Sequence, residues 1–180
     1  MTHWIAFLRG INVGGHRIIR MAHLQAWLGG AGLEQVRTYI QSGNASFLSP
    51  EADPRMLGAS LEALLLAQAG FEVPVMLRRA DQLASLVQRS PFADVMDAPD
   101  TKRYVCFLKE QPAHSLALPL HKPDEGLEWR ELTDGDACVV SRKVNGEYGF
   151  ANQLVERSLK QPATARDWNT VMRIHGALAG

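Results

Sequence analysis

A glycine-rich segment near the start of the chain carries residue types that bind anions. It reads RGINVGGH, directly follows an apolar run, and begins with Arg9 and ends with His16. Its glycines allow the backbone to point amide N–H groups at a ligand, while the two end residues add charge. Amides that precede a helix attract phosphate and carboxylate groups. The predicted anion-binding residues of this segment are Arg9, Gly10, Asn12, Gly14 and Gly15.

A second polar segment, QSGN, lies between two predicted strands. The side chains of Gln41, Ser42 and Asn44 supply hydrogen-bond donors and acceptors. In a split strand–helix–strand unit, the first two strands are parallel and the third lies between them. Their carboxyl ends therefore meet at one sheet edge, so we predict that both segments face a shared cleft and bind a nucleotide or phosphorylated metabolite there.

Three other interpretations of these residues remain open. An enzyme would use His16 as its general base and Ser42, or a substrate hydroxyl, as the activated group. Ser42 lacks the G-x-S-x-G context, however, and the sequence names no acidic partner for His16. A nucleic-acid-binding module ranks third, because the aromatic and basic residues of an RRM are missing. The glycine-rich segment also suits a structural turn, since it matches neither nucleotide-binding glycine motif.

Charge and composition restrict the partners. The 19 basic and 19 acidic residues cancel, which disfavours nonspecific binding to nucleic acid or anionic membranes. The first apolar run ends at Arg9, too short for a signal peptide or a membrane span, so we expect a soluble, cytoplasmic protein. Cys106 and Cys138 lie in apolar strand-like runs without metal-ligand spacing, so we predict buried thiols and neither a metal nor a cofactor. The sequence indicates no oligomeric state.

Periodicity predicts an α+β fold in two halves. Residues 1–80 read as strand, helix, strand, strand, helix, strand, the ferredoxin-like order. Asp53 is placed to cap the second helix and Gly70 to end it. The turn-rich residues 81–101 form a connector. Residues 102–180 make a second α+β half, a related or degenerate copy of the first, packed with it into one compact unit.

The C-terminal segment TARDWNTV is predicted to open the last helix, near residues 165–178. Thr164 is placed as its cap, with Asp167 three residues later, close to a capping box. Arg166 and Asn169 then share a helical face with Thr170 and Arg173. We add Arg166 and Asn169 to the predicted ligand-binding residues.

Six motifs in this order, RGINVGGHRI, TYIQSGN, PF, CFLKEQP, VERSL and TARDWNTV, resemble the bacterial family known as domain of unknown function 1697. The resemblance covers Trp4 to about Leu178. It implies an α+β fold of paired ferredoxin-like halves and brings no established activity. The matching motif positions are Arg9, Gly10, Asn12, Gly14, Gly15, Gln41, Ser42, Gly43, Asn44, Arg166, Trp168, Asn169 and Thr170.

The chain departs from the family pattern at two positions. Asp167 and Ser90 stand where the family more often has asparagine. An acidic residue beside Arg166 weakens the local positive potential, which argues against anion binding at the start of that helix.

Overall fold

The structure is a computed structural model that describes residues 1–40 and 43–179. The chain forms two compact units, Met1–Leu83 and Ala84–Gly180. The described residues contain two antiparallel sheets and five α-helices, so the predicted α+β class is confirmed. No helix in the described ranges is both long and apolar enough to cross a membrane.

The first unit follows the predicted order of elements. They are β1 (Thr2–Leu8), α1 (Met21–Gly30), β2 (Glu34–Tyr39), β3 (Asn44–Ser49), α2 (Pro54–Ala69) and β4 (Val75–Arg79). The sheet order is β2-β3-β1-β4, with every neighbouring pair antiparallel. This order is compatible with the predicted ferredoxin-like arrangement.

The pairing places the carboxyl ends of β1 and β2 at one sheet edge. Asn44, the first residue of β3, pairs with Phe7 of β1 and with Tyr39 of β2. Because both strands are antiparallel to β3, they run parallel to each other. The described parts of the segments that follow β1 and β2 therefore leave the sheet at the same edge, and the shared cleft stays a prediction.

Apolar spacing on two helices forms the core of the first unit. Leu24 and Leu28 of α1, with Leu57, Leu61 and Leu65 of α2, pack against the sheet in one buried cluster. The predicted ends of α2 are confirmed: the Asp53 carboxylate accepts from the Arg55 N–H at 2.8 Å, and Gly70 follows with φ 81°.

Part of the predicted connector is helical. Residues Ala80–Arg89 form α3, on which Leu83 and Leu86 are buried three residues apart. The turn-rich segment that follows, from Ser90 to Asp100, forms turns and irregular structure. Leu83, Ala84, Leu86 and Val87 are buried or partly buried at helical spacing, a periodic signal that the sequence analysis did not use.

The second unit contains a five-stranded antiparallel sheet in the order β6-β7-β8-β5-β9. Its elements are β5 (Thr101–Leu108), β6 (Leu120–Lys122), a 3-10 turn (Pro123–Glu125), β7 (Leu127–Leu132), β8 (Asp136–Arg142), α4 (Ala151–Leu159), β9 (Ala163–Asp167) and α5 (Trp168–Ala179). Leu154 and Val155 of α4 pack on one face with Trp129 and Val139. Cys106 and Cys138 are free and fully buried in adjacent strands.

The start of the last helix differs from the prediction. Thr164 and Arg166 belong to β9, and α5 begins only at Trp168. Asp167 is itself the cap: its carboxylate accepts from the Thr170 N–H at 3.1 Å and from the Thr170 hydroxyl at 2.6 Å. The predicted capping box at Thr164 is wrong because pairing with β5 holds residues 163–167 extended.

Candidate functional site

The glycine-rich segment folds into a tight hairpin at the end of β1. Val13 and His16 form an isolated bridge, and the two glycines between them have φ angles of 61° and 75°. Two successive positive φ angles are typical of a type I′ turn, which favours glycine at both positions. Gly14 and Gly15 therefore place the tip of the hairpin in solvent, where both residues are exposed.

Asn12 ties the hairpin to the chain before α1. Its Oδ1 accepts from the Ile19 N–H at 2.9 Å, and its Nδ2 donates to the Ile19 carbonyl at 3.0 Å. Ile19 is buried in the core of the first unit. This predicted ligand-binding residue thus uses its side-chain amide to fix the shape of the loop.

Gly43 joins the second polar segment to the first. Its carbonyl accepts from the Leu8 N–H at 2.8 Å. Its φ is 75°, and a Cβ at this position would lie 2.8 Å from the Ile11 side chain and 2.9 Å from that of Leu8. Only glycine fits this contact. The predicted site residues Gln41 and Ser42 lie outside the described residues.

The remaining described residues of the second segment serve the sheet. Asn44 is fully buried and donates through Nδ2 to the Tyr39 carbonyl at 3.0 Å. Ile40 adopts φ 56° although it is β-branched and half exposed. A β-branched residue in the left-handed region is strained, and such strain clusters at functional sites.

The cationic residues of the site lie on the loop that leads from β1 to α1. Arg9 is partly buried, whereas His16, Arg17 and Arg20 are exposed. Arg17 donates to the Glu72 carbonyl, and its guanidinium lies 5.0 Å from the centroid of the Phe71 ring. In the described part of the chain, the His16 ring makes no hydrogen bond to a carboxylate.

The same loop carries no acidic residue. The first carboxylate in the sequence is Glu34, at the start of β2. The loop itself therefore carries a net positive charge although the whole chain is neutral. The sequence analysis did not include Arg17 and Arg20 among the cations of this loop. The absence of Asp and Glu from residues 1–33 was the signal that could have pointed to a positively charged segment there.

The helix that follows the loop begins without a side-chain cap. Arg20 occupies the N-cap position with φ −70° and ψ 137°, and its side chain makes no capping hydrogen bond. The first turn of α1 also lacks an acidic residue. The positive end of the helix dipole thus lies next to the cationic loop, which favours an anion there.

Two predicted site residues belong to the second unit. Arg166 is buried on β9, where its Nη1 donates to the Thr164 hydroxyl at 2.8 Å and to the Ala165 carbonyl at 2.9 Å. Burial lowers the pKa of Arg166 to about 10, against the opposing charge of Asp167, so the guanidinium stays protonated at neutral pH. Asn169 is exposed in the first turn of α5. The helical face predicted to unite them does not exist, because Arg166 precedes the helix.

Within the described ranges, no group of three or more His, Cys, Asp or Glu side chains is placed to hold a metal ion. The described loop after β1 carries groups that attract anions, namely backbone amide donors, guanidinium groups and a helix N-terminus at one sheet edge.

Comparison with known proteins identifies a family and a solved structure of similar fold. The family model described as a protein of unknown function, DUF1697, matches residues 1–137. No curated protein matches the sequence. A solved structure of a conserved bacterial protein from Streptococcus pneumoniae is 24% identical, with a TM-score of 0.66 and 97% of each chain covered. At this identity the likeness shows a shared fold.

Proposed function

Since the chain belongs to the DUF1697 family, described only as a protein of unknown function, we propose a function from the site itself: binding of a small anionic ligand at the loop between β1 and α1. The ligand class is a nucleotide or a phosphorylated metabolite. A cytoplasmic location remains part of this proposal. The uncapped N-terminus of α1, which directly follows an arginine-containing loop without acidic residues, is the observation that carries it.

Two properties of this helix end support an anion. In α2 and α5, Asp53 and Asp167 already supply a carboxylate to the first-turn amides. In α1 the residue at that position is Arg20, which adds positive charge to the end that is already positive. An external anion would satisfy the amides and the cation together.

The loop is also held in shape before a ligand arrives. Asn12 binds both backbone groups of Ile19, and Gly43 packs against Ile11 and Leu8. A preorganised loop lowers the entropy cost of binding because fewer groups have to be ordered.

Thermal unfolding with increasing inorganic phosphate tests the proposal. A ligand present at 100 times its dissociation constant stabilises the folded protein by about 2.7 kcal/mol, so saturating phosphate should raise Tm. The informative variant is Arg20→Asp, which gives α1 the carboxylate cap that it lacks. We expect this variant to be as stable as the wild type or about 1 kcal/mol more stable, and to lose the phosphate-dependent rise.

Lys122→Asp is the matched control, because Lys122 occupies the N-cap position of the 3-10 turn and also lacks a side-chain cap bond. It makes the same charge change in the other unit and should keep the full phosphate effect. Equal responses of the wild type and Arg20→Asp, or no response of the wild type, would refute the proposed site.

A further inference from the structure

A second concave site lies wholly within the second unit, at the point where β9 ends. Asp167, the last residue of β9, pairs with Tyr104, so β5 continues past it through Thr101–Arg103. The chain turns into α5 at Trp168, and the space beside the overhanging end of β5 is a groove of about 370 Å³. This volume falls within the range of small-molecule sites.

Carboxylates line the groove, but each is engaged by the protein. Asp97 lies 3.6 Å from the Arg103 guanidinium. Both oxygens of Asp167 accept hydrogen bonds from Thr170. Arg103 offsets the charge of Asp97, whereas Asp167 keeps its negative charge because Thr170 is a neutral donor.

Lys102 is the lining cation without such a partner. Its Nζ lies 4.1 Å from the centroid of the Tyr148 ring, and in the described part of the chain it forms no ion pair with a carboxylate. Lys143 also lies over that ring, at 5.2 Å, and adds positive charge nearby. The charges of the lining residues Asp97, Lys102, Arg103 and Asp167 cancel, so the excess positive charge beside the groove comes from Lys143.

Aromatic side chains form the walls. Trp168 is partly exposed, and its position is fixed by Phe92, whose ring meets the indole edge to face at 5.3 Å. Tyr104 is half-buried. Burial, and after it the charge of Asp167, raises the pKa of Tyr104, so its hydroxyl remains a hydrogen-bond donor at neutral pH.

We propose that this groove binds a small planar organic monoanion, an aromatic carboxylate, with its ring against Trp168 and Tyr104 and its carboxylate at Lys102. Further negative charge on the ligand would be repelled by Asp97 and Asp167. An uncharged ring would partly desolvate the Lys102 ammonium without supplying an anionic partner. The site uses the Asp167–Asn169 part of the TARDWNTV motif, which the anion site of the first unit does not use.

The test follows the indole N–H resonances of the four tryptophans by NMR while benzoate is added. Trp4 and Trp129 are buried and donate to the Glu51 and Glu131 carbonyls, so their resonances serve as internal references. We expect saturable movement of the Trp168 resonance, assigned with Trp168→Phe. Benzamide, which keeps the ring without the charge, should bind about tenfold more weakly, and so should acetate, which keeps the charge without the ring.

Two lysine variants test whether benzoate binding needs the charge of Lys102 in particular. Lys102→Gln should weaken benzoate binding about tenfold with no change in Tm, whereas Lys122→Gln, an exposed lysine outside the groove, should bind as the wild type does. No saturable shift at Trp168, equal binding of benzoate and benzamide, or unchanged binding by Lys102→Gln would each overturn the proposal. Inorganic phosphate binding at α1 is measured separately, so either site can fail alone.

Discussion

At the scale of single residues, the shape of the candidate site in the first unit depends on specific contacts of two residues, Gly43 and Asn12. Gly43 packs its backbone against Leu8 and Ile11, and Asn12 satisfies both backbone groups of Ile19. Neither residue has to contact a ligand in order to affect the site. Both set the shape of the loop that carries the positive charge.

Gly43→Ala should destabilise the protein by about 2–4 kcal/mol, because it combines a crowded Cβ with positive-φ strain. The added Cβ would lie 2.8 Å from the Ile11 side chain at φ 75°. Urea unfolding measures the loss. Gly14→Ala is the control, since it has φ 61° but no atom within 4 Å of the added Cβ. It should cost only about 1 kcal/mol. Equal losses would show that the contact with Ile11 is not tight.

Asn12→Ala should cost about 1–3 kcal/mol, because it leaves the N–H and the carbonyl of Ile19 without their partners. Hydrogen exchange should accelerate at the Ile19 amide, which reports on the loop directly. Asn169→Ala, at an exposed position of α5, should stay within about 0.5 kcal/mol of the wild type. An Ile19 amide that exchanges at the wild-type rate would contradict this role of Asn12.

At the scale of elements, an ion-pair network ties the loop after α3 to two strands of the second sheet. Arg130 of β7 donates to Asp94 in the loop at 2.6 Å and to Glu128 at 2.7 Å. Arg142 of β8 donates to the other Glu128 oxygen at 2.8 Å. Glu128 is partly buried, so its charge is screened less than that of a fully exposed pair.

This network predicts an acid-dependent loss of stability. Burial alone would raise the pKa of Glu128, but the hydrogen bond from Arg142 and the charges of Arg130 and Arg142 lower it overall. A lowered folded pKa stabilises the protein above the unfolded value of about 4.3, and this contribution disappears as pH falls through the folded pKa.

The free energy of unfolding, measured from about pH 6 to pH 3, should therefore fall more steeply for the wild type than for Glu128→Gln. Glu147→Gln, at an exposed glutamate of the same unit that forms no ion pair among the described residues, should keep the wild-type slope. If Glu128→Gln follows the wild-type curve, Glu128 does not stabilise the fold through its charge.

At the scale of the whole molecule, the two cysteines report on the opening of the second sheet. Cys106 pairs with Ala137, and Cys138 pairs with Val105, in the adjacent strands β5 and β8. Both thiols are fully buried, and burial raises the pKa of each. Reaction with a thiol reagent requires an exposed thiolate, which the folded sheet does not provide.

Labelling by a disulfide reagent in native buffer should therefore be slow, and it should accelerate with urea in parallel with unfolding followed by circular dichroism. The reduced, unfolded chain provides the reference rate. Modification of both cysteines in native buffer at a rate near that reference would show that β5 and β8 open without unfolding.

The sequence determined much of the first unit and the outline of the second. The signals that predicted these elements are local, because the residues that form a helix or strand pattern lie within one segment. They include the apolar periodicity, the Asp53 cap and the Gly70 end of α2. The order of elements in residues 1–79 and the convergence of the segments after β1 and β2 followed from them. The positive charge and the glycines of the loop after β1 could also be recognised from the sequence.

The remaining features depend on pairing between residues that are distant in the sequence, so local patterns could not predict them. Residues 163–167 have helix-compatible neighbours but become a strand because β5 offers them a free edge, which moves Arg166 out of the predicted helix face and buries it. Asn12 was predicted to bind a ligand, yet its amide is held by Ile19. The groove beside Lys102 exists because β5 continues through Thr101–Arg103 beyond the residue that pairs with the end of β9, a length difference between paired strands that no single segment encodes.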